Sequence, residues 1–153
     1  MEQGVRIFKL DRADEYYVPE INRLLAQLSS SDVSFGLCEL EAIVSSSSSH
    51  LFVLECDGKV AGMLTLGDYL APTGRKMWIE DVVVDSCMRG RSFGRLLVEY
   101  AIEYAGNLGD GSLMLTSRPS RVAANALYRS CGFEQRETNV YRMPIVSCSK
   151  RGR

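Results

Sequence analysis

The stretch VVVDSCMRGRSFGRLL, residues 82–97, joins a β-branched segment to a leucine-rich segment through a turn that contains Gly90 and Gly94. A strand that enters a helix through such a turn places several unpaired backbone N–H groups at the positive end of the helix dipole. The same turn carries three arginines, Arg89, Arg91 and Arg95. Backbone amides and cationic side chains at a helix N-terminus are typical of a phosphate-binding turn.

The turn matches neither of the two common phosphate-binding loops. A Walker loop places Lys and then Ser or Thr after its last glycine, whereas Arg95 and Leu96 follow Gly94 here. A dinucleotide-binding loop needs a glycine pair near its start, and GRSFGR does not supply one. The pattern therefore indicates a different nucleotide-like ligand.

Length and composition favour one globular domain. The chain has 153 residues, of which 46% are apolar and 24% charged, near the averages for soluble proteins. A net charge of −1 argues against general binding to nucleic acid or to a membrane surface. We expect one domain over residues 1–146, followed by a flexible tail over residues 147–153.

The numbers and positions of cysteine and histidine limit the expected cellular compartment and the kinds of active site. The five cysteines show no CxxC spacing and the N-terminus lacks the apolar core of a signal peptide, so a cytoplasmic location is expected. The apolar runs fall short of the roughly 18 residues that a membrane span needs. His50 is the single histidine, which disfavours metal sites and His-dependent nucleophiles. We expect His50 to be a polar residue that opens a strand.

The hydrophobic pattern predicts the order strand, two helices, β-meander, helix, strand, helix, strand. Asp57-Gly58 indicates a tight hairpin, Ser120 is a candidate N-cap of the last helix, and TNVYRMPI, residues 138–145, alternates like a closing strand. These elements predict a single-domain α/β (α+β) fold. We expect a mixed, mostly antiparallel sheet of about six or seven strands, flanked on both faces by about four helices.

Two segments together resemble the GNAT family of N-acetyltransferases. The family's pyrophosphate loop reads Arg or Gln, two residues, Gly, one residue, then Gly or Ala; Arg89, Ser92 and Gly94 occupy the three marked positions, with Ser92 in place of the usual glycine. RVAANALYRSCGF, residues 121–133, resembles the second family signature, with Asn125 and Tyr128 at its marked positions. The resemblance extends over the strand and helix order from about residue 5 to residue 145.

The resemblance implies an enzyme that binds acetyl-CoA and passes its acetyl group directly to an amine, with no metal. The backbone amides of the turn would hold the pyrophosphate, and the pantetheine arm would lie along VVV as an extra strand. Asn125 would hydrogen-bond that arm, and Tyr128 would donate a proton to the departing thiolate. The implied cofactor-binding residues are Val82, Val83, Val84, Arg89, Gly90, Arg91, Ser92, Phe93, Gly94, Arg95, Asn125 and Tyr128.

Glu80 and Asp81 are the candidates to take the proton from the amine. Successive side chains of a regular strand face opposite sides, so only one carboxylate reaches the cleft unless a bulge intervenes. Glu80 is preferred, with Asp81 as an orienting carboxylate; the reverse assignment and a water chain without a dedicated base stay open.

Two further side chains near the signatures could have either a functional role or a packing role. Cys131 has no histidine beside it in the sequence, so we expect it to pack in the core rather than carry an acyl group. Trp78 is expected either to line the acceptor pocket or to pack on the sheet.

The acceptor is less well determined than the cofactor. IEDVVVD, residues 79–85, is similar to the corresponding stretch of glucosamine-6-phosphate N-acetyltransferases, in which case Arg118 or Arg121 would contact a phosphate. An unspecified small amine ranks first, a protein or peptide amine is an alternative, and a CoA-binding module without catalysis is disfavoured by Tyr128. A homodimer is common among proteins of this kind.

Overall fold

The computed structural model describes residues 4–29 and 34–147, which contain five strands and four α-helices. In chain order these are β1 Val5–Lys9, α1 Tyr17–Leu28, α2 Leu37–Ser45, β2 Ser49–Cys56, β3 Lys59–Ala71, β4 Gly74–Val84, α3 Phe93–Leu108, β5 Gly111–Met114 and α4 Val122–Ser130. A short 3₁₀ turn, Ser86–Met88, lies between β4 and α3. No helix in these two ranges is long and apolar enough to cross a membrane.

The strands form one sheet in the order β1-β2-β3-β4-β5. The pairs β1–β2, β2–β3 and β3–β4 are antiparallel, and the pair β4–β5 is parallel. The predicted hairpin is present: Cys56 pairs with Lys59, and Asp57 and Gly58 both have the positive φ angles, 50° and 77°, that a two-residue turn requires. The mixed, mostly antiparallel sheet is therefore confirmed.

Two apolar clusters cover the two faces of the sheet. Strand β2 supplies both, because its pleat directs Phe52 and Leu54 to one face and Leu51 and Val53 to the other. The first cluster includes α3 and α4, and the second includes α1 and α2. The expected arrangement of helices on both faces is confirmed.

Two sequence-based details are corrected. The sheet of the described residues has five strands instead of about six or seven, because residues 134–147 pair with none of them. Alternation predicts an extended chain, but it does not specify a partner strand. Arg121, not Ser120, is the N-cap of α4. Of the predicted tail, only Ser147 lies within the described residues.

Candidate active site

A bulge in β4 separates Glu80 and Asp81 from the regular pleat. Met63 pairs with Val83 and Thr65 pairs with Glu80, so β4 carries one residue more than β3 over this interval. Asp81 has a φ of 52°, a left-handed conformation in the middle of a strand. Both carboxylate side chains are exposed. Strict alternation therefore does not decide which of the two reaches the cleft.

Strand β4 loses its partner on one side at the same place. The parallel ladder to β5 runs from Arg75 opposite Gly111 to Trp78 opposite Met114 and continues no further. From residue 79 to Val84, β4 is paired with β3 alone among the described strands. An unpaired strand edge presents backbone N–H and C=O groups, which an extended ligand can pair with.

The three valines on this edge face different sides. Val82 and Val84 are half-buried and pack with the cluster under α3, whereas Val83 is buried in the cluster under α1 and α2. The side chains of Val82 and Val84 thus lie on the α3 side of the sheet. Val83 has only its backbone to offer a ligand.

The turn after β4 ends at the N-terminus of α3. Ser92 is the N-cap in a left-handed conformation, φ 60° and ψ 18°, and Gly90 also has a positive φ, 80°. The first intrahelical bond runs from Leu96 N to Ser92 O, and no side chain caps the helix. The amides of Phe93, Gly94 and Arg95 are therefore available to an anion.

Gly94 is the point where the two signature segments meet. A Cβ built on Gly94 would lie 3.4 Å from Leu127 Cδ2 on α4 and 3.9 Å from Val84 Cγ2 on β4. The turn, the open strand edge and α4 therefore converge on one cleft.

The three arginines of the turn differ in their surroundings. Arg95 Nη1 donates to Glu99 Oε1 at 3.2 Å, and its Nη2 donates to Ser130 Oγ, so this side chain joins α3 to α4. The Arg91 guanidinium lies 4.8 Å from the centroid of the Phe93 ring. Arg89 is exposed. The side chains of Arg89 and Arg91 are thus placed at the turn, whereas Arg95 has its backbone amide there.

Tyr128 lies on α4 with its ring buried and edge-to-face with Phe133, at 6.2 Å between centroids. Its hydroxyl makes no hydrogen bond to the described residues. Burial raises the pKa of Tyr128, and the positive charge of Arg121 offsets part of this effect. The phenol therefore stays protonated at neutral pH, as a proton donor must.

Asn125 fastens α4 to the loop that precedes it. Its Nδ2 donates to the carbonyl of Arg118 at 2.9 Å. The amide oxygen of Asn125 accepts no hydrogen bond from the described part of the chain, so it remains the group that a ligand N–H can use.

The carboxyl of Glu80 titrates above its usual range. Desolvation is the main cause of its raised pKa, and the neighbouring Asp81 carboxylate adds to it. A carboxylate with a raised pKa is a stronger base near neutral pH.

Ser117 has a buried hydroxyl that the sequence did not single out. Ser117 Oγ has no hydrogen-bond partner in the described residues. The residue lies beyond β5, next to the Arg118 carbonyl that Asn125 holds. Buried hydroxyls in proteins are almost always satisfied, so an amide or carbonyl group of a ligand in the cleft would supply the missing partner. The open β4 edge, the free amides and this hydroxyl fit the pantetheine arm and pyrophosphate of a CoA ester.

Helix α1 holds the start of the turn through contacts that sequence reasoning missed. Asp85 accepts a hydrogen bond from Cys87 N at 3.0 Å and forms an ion pair with Arg23, and Gln27 Oε1 accepts from Ser86 N at 2.8 Å. The Cys87 amide, and then Arg23, lower the pKa of Asp85. The two contacts made by α1, Arg23 with Asp85 and Gln27 with Ser86, join residues 62 and 59 positions apart along the chain, so no local pattern could have indicated them.

The other residues discussed from the sequence, Trp78, Cys131 and His50, contact the sheet or the core. Trp78 is half-buried at the last rung of the β4–β5 ladder, beside the divergence of the two strands. Cys131 packs against the core, with Sγ 3.7 Å from Arg95 Nη1. His50 is buried in β2, with Nε2 2.7 Å from Asp68 Oδ1 and Nδ1 3.1 Å from the Tyr104 hydroxyl.

The sequence model of the acetyltransferase (GNAT) family matches residues 11–133, which include both signature segments. This chain belongs to the acetyltransferase (GNAT) family. As a GNAT member it is an acetyl-CoA-dependent acetyltransferase, which confirms the resemblance and the enzyme class expected from the sequence.

This GNAT acetyltransferase has similar proteins in bacteria and plants. It is 29% identical over 139 residues to the uncharacterized N-acetyltransferase YhdJ of Bacillus subtilis, covering 90% of this chain and 94% of the relative. It is 26% identical over 144 residues to the glucosamine 6-phosphate N-acetyltransferase of Arabidopsis thaliana, covering 89% and 94%. The crystal structure of an Arabidopsis glucosamine-6-phosphate N-acetyltransferase superimposes with a TM-score of 0.76 at 26% identity, covering 91% and 97%. An aminoglycoside acetyltransferase from a soil metagenomic sample shares the fold, with a TM-score of 0.78 at 16% identity over 95% and 99% of the two chains.

Proposed function

We propose that this enzyme transfers the acetyl group of acetyl-CoA directly to a primary amine of a small molecule, with both substrates bound at once. The observation that carries the proposal is the bulge at Asp81, which lies three residues beyond Trp78, where the β4–β5 ladder ends. The end of the ladder leaves one edge of β4 open to the cofactor. The bulge holds the two carboxylates, Glu80 and Asp81, beside that edge.

The chain's own groups account for cofactor binding. The amides of residues 91–95 receive the pyrophosphate, and Arg89 and Arg91 add positive charge next to it. The backbone of Val82 and Val84 pairs with the amides of the pantetheine arm, while Asn125 and Ser117 supply side-chain hydrogen bonds. Acetyl-CoA itself supplies an activated thioester.

Each proton in the transfer has a residue to hold it. Glu80 accepts the proton of the incoming ammonium, directly or through water, so that the amine nitrogen attacks as a neutral group. The C–N bond forms while the C–S bond breaks, and the departing sulfur takes a proton from the Tyr128 hydroxyl. The second proton that the nitrogen loses as it becomes an amide returns to the Tyr128 phenolate, directly or through water. Asp81 orients the amine. In the alternative assignment, Asp81 accepts the proton and Glu80 orients the amine.

An amino-sugar phosphate is the second candidate acceptor. The relative named glucosamine 6-phosphate N-acetyltransferase and the local similarity of IEDVVVD favour it. Arg118 and Arg121 are exposed just before α4, where a phosphate could reach them. A protein or peptide amine ranks lower. We place the reaction in the cytoplasm, since the described cysteines are free thiols.

Thiol release from acetyl-CoA in the presence of amino sugars, amino-sugar phosphates, polyamines, amino acids and peptides tests the proposal. A small amine should give saturable release, and double-reciprocal plots should intersect as expected for a ternary complex. Calorimetric uptake of acetyl-CoA with no release for any amine would favour a binding module without catalysis. A chain that takes up no acetyl-CoA would contradict the proposed cleft.

Cys131→Ser provides the matched control for direct transfer. An acyl-cysteine route would lose its activity in this variant and would give parallel double-reciprocal plots. Direct transfer predicts an unchanged rate, because no covalent step passes through Cys131, and a serine hydroxyl can also accept the hydrogen bond that Arg95 donates to Cys131 Sγ.

A further inference from the structure

Trp78 is the single tryptophan of the chain, and among the described residues it packs in neither apolar cluster. The side chain is half-buried on β4. Its indole N–H donates no hydrogen bond to the part of the chain that the structure describes. An aromatic side chain of this size usually contributes a large buried area to a core. The packing of the two clusters therefore does not account for this indole.

Trp78 lies on the same face of the sheet as Glu80. Met77 and Ile79 pack in the cluster under α3. Side chains alternate along a strand, so Lys76, Trp78 and Glu80, which precede the bulge, lie on the other face, the side of α1 and α2. Positions two apart on one strand are separated by about 6.6 Å. The indole and the proposed base are therefore neighbours.

The helices on this side of the sheet leave Trp78 uncovered. The cluster under α1 and α2 includes Met63 of β3 and Val83 of β4, but no described residue of β3 beyond Met63 or of β4 before Val83. Gly67 is the partner of Trp78 on β3, and a Cβ built on Gly67 would meet nothing nearer than Ser48 O at 3.9 Å. The space beside the indole, above the backbone of β3, is therefore open.

Strand β5 places a second apolar side chain beside the indole. Met114 is the partner of Trp78 in the parallel ladder, is half-buried, and among the described residues also packs in neither cluster. Paired residues of neighbouring strands direct their side chains to the same face. We refer to Gly67, Trp78 and Met114 as the acceptor floor.

The order of groups along β4 gives the direction in which the acceptor extends. The pantetheine arm is proposed to pair beyond the bulge, at Val82 and Val84, and Glu80 lies between that edge and Trp78. The amine nitrogen has to face the thioester, so the rest of the acceptor extends away from the cofactor. On this face of the sheet, that path crosses the acceptor floor.

Charge decides which kind of molecule suits the indole. The face of a tryptophan binds either a flat ring, by stacking, or a cation, through its π-system. Lys76 is the next side chain on this face beyond Trp78, and it would repel a second ammonium group of the acceptor. A sugar ring or an aromatic ring is uncharged and has a flat face. A ring therefore suits this position better than a second cation.

We propose that Trp78 determines the specificity of the acceptor site: its indole stacks on a ring that carries the reacting amine directly or through one carbon. The inference rests on the proposed acetyl transfer and narrows its acceptor to ring-bearing primary amines. A sugar ring and an aromatic ring share the required chemistry, and the first test separates them.

The first test is thiol release from acetyl-CoA with matched amines. D-glucosamine and benzylamine carry a sugar ring and an aromatic ring, and D-glucamine and hexylamine are their open-chain counterparts. The wild-type enzyme should use one ring amine with a kcat/KM about 10-fold or more above that of its counterpart. The pair that shows this ratio identifies the kind of ring.

Variants at position 78 show whether the indole causes the preference. Trp78→Ala should lose most of the ratio between ring and open-chain amine, whereas Trp78→Phe keeps a flat face and should retain it. The control, Leu70→Ala, removes an apolar side chain that is 72% exposed near the end of β3, and its ratio should equal that of the wild type. A wild-type enzyme without ring preference, or an unchanged ratio in Trp78→Ala, would overturn the proposal.

The second test uses the fluorescence of Trp78, which is the only tryptophan emission of the protein. With CoA at saturation, the preferred ring amine should change this emission saturably, and its open-chain counterpart should change it much less. The measurement needs no turnover. Failure of every amine to release thiol would contradict the proposed acetyl transfer, and a saturable change in emission would still support stacking. No change in emission with either ring amine would refute the role of Trp78, whatever the result for thiol release.

Discussion

Ser92 adopts a backbone conformation that serine rarely occupies. Its φ of 60° and ψ of 18° fall in the left-handed region, where the family loop has glycine. Its side chain makes no capping hydrogen bond to α3, so the hydroxyl does not compensate for the strain. The conformation is therefore required by the path of the turn.

We expect Ser92→Gly to stabilise the protein by about 0.5–1 kcal/mol, because relief of the left-handed strain exceeds the added entropy of the unfolded chain. Thermal and denaturant unfolding measure the change. Ser120→Gly, in a loop without a positive φ, is the matched control and should destabilise. A loss of stability in Ser92→Gly comparable to the control would contradict the assignment of strain.

The carboxylates at the bulge can be told apart by their pH profiles. Glu80→Gln should lower kcat about 100-fold and remove the acid limb of the kcat/KM profile. Asp81→Asn should lower the rate less and move that limb to lower pH, because loss of the neighbouring charge lowers the pKa of Glu80. Steady-state kinetics from acid to neutral pH measure both variants. The opposite pattern would make Asp81 the base.

Tyr128→Phe removes a hydroxyl without removing a hydrogen bond within the described residues. We expect kcat to fall about 10- to 100-fold while the melting temperature and acetyl-CoA affinity stay near wild type. Tyr104→Phe is the opposite case, because that hydroxyl contacts His50 at 3.1 Å; it should reduce stability and leave kcat unchanged. A Tyr128→Phe enzyme with wild-type kcat would remove this phenol from the reaction.

At the scale of elements, α1 contacts the start of the turn that leads from β4 into α3. Arg23 and Gln27 on one face of α1 contact Asp85 and Ser86, and Arg23 Nη2 also donates to Val60 O at 2.8 Å. Arg23 thereby links α1 to the β2–β3 hairpin and to the turn after β4. A residue that touches no substrate can therefore affect cofactor binding by positioning the turn.

Asp85→Asn should raise KM for acetyl-CoA more than it lowers kcat, and should cost about 1.5–3 kcal/mol of stability at neutral pH. The pKa of Asp85 is lowered in the folded state, so its contribution is complete above the pKa of an unfolded aspartate, about 3.9, and is lost as pH falls through the lower folded value. The stability difference between variant and wild type should therefore shrink in strong acid. Asp110→Asn, at an exposed position, is the control. An unchanged KM with reduced stability would limit Asp85 to a structural role.

At the scale of the whole molecule, Gly62 on β3 lies close to both β4 and α3. A Cβ at this position would lie 2.9 Å from Val83 O and 3.1 Å from Leu97 Cδ1. The first contact is with backbone, which cannot move aside as a side-chain end can. The close packing of β3, β4 and α3 thus requires glycine at this position, because glycine has no Cβ.

Gly62→Ala should destabilise the protein by about 1–3 kcal/mol, because the added methyl group separates the layers. Gly67→Ala on the same strand is the control: its nearest contact is Ser48 O at 3.9 Å, and it should be neutral or stabilising. Denaturant midpoints measure the pair. Equal effects of the two substitutions would refute the close approach.

Local pattern was enough for most of the fold and for locating the segments that carry the proposed site residues. The Asp57-Gly58 hairpin, the order of elements from β1 to α4 and the glycine turn at α3 follow from backbone preferences that act within a few residues. The pair Glu80 and Asp81 could be located from the sequence, but the bulge that displaces one from the other depends on the register with β3.

The sequence by itself determined the elements, the two faces of the sheet and the family signatures, because side-chain periodicity and turn chemistry are local properties. Tertiary structure alone decided that the β4–β5 ladder ends before residue 79 and that α1 holds Asp85. It also decided that Ser117 Oγ has no hydrogen-bond partner among residues 4–29 and 34–147, and that residues 134–147 pair with none of the described strands. These features depend on contacts between distant parts of the chain. An alternating segment predicts a strand, but only its surroundings decide which strand it pairs with.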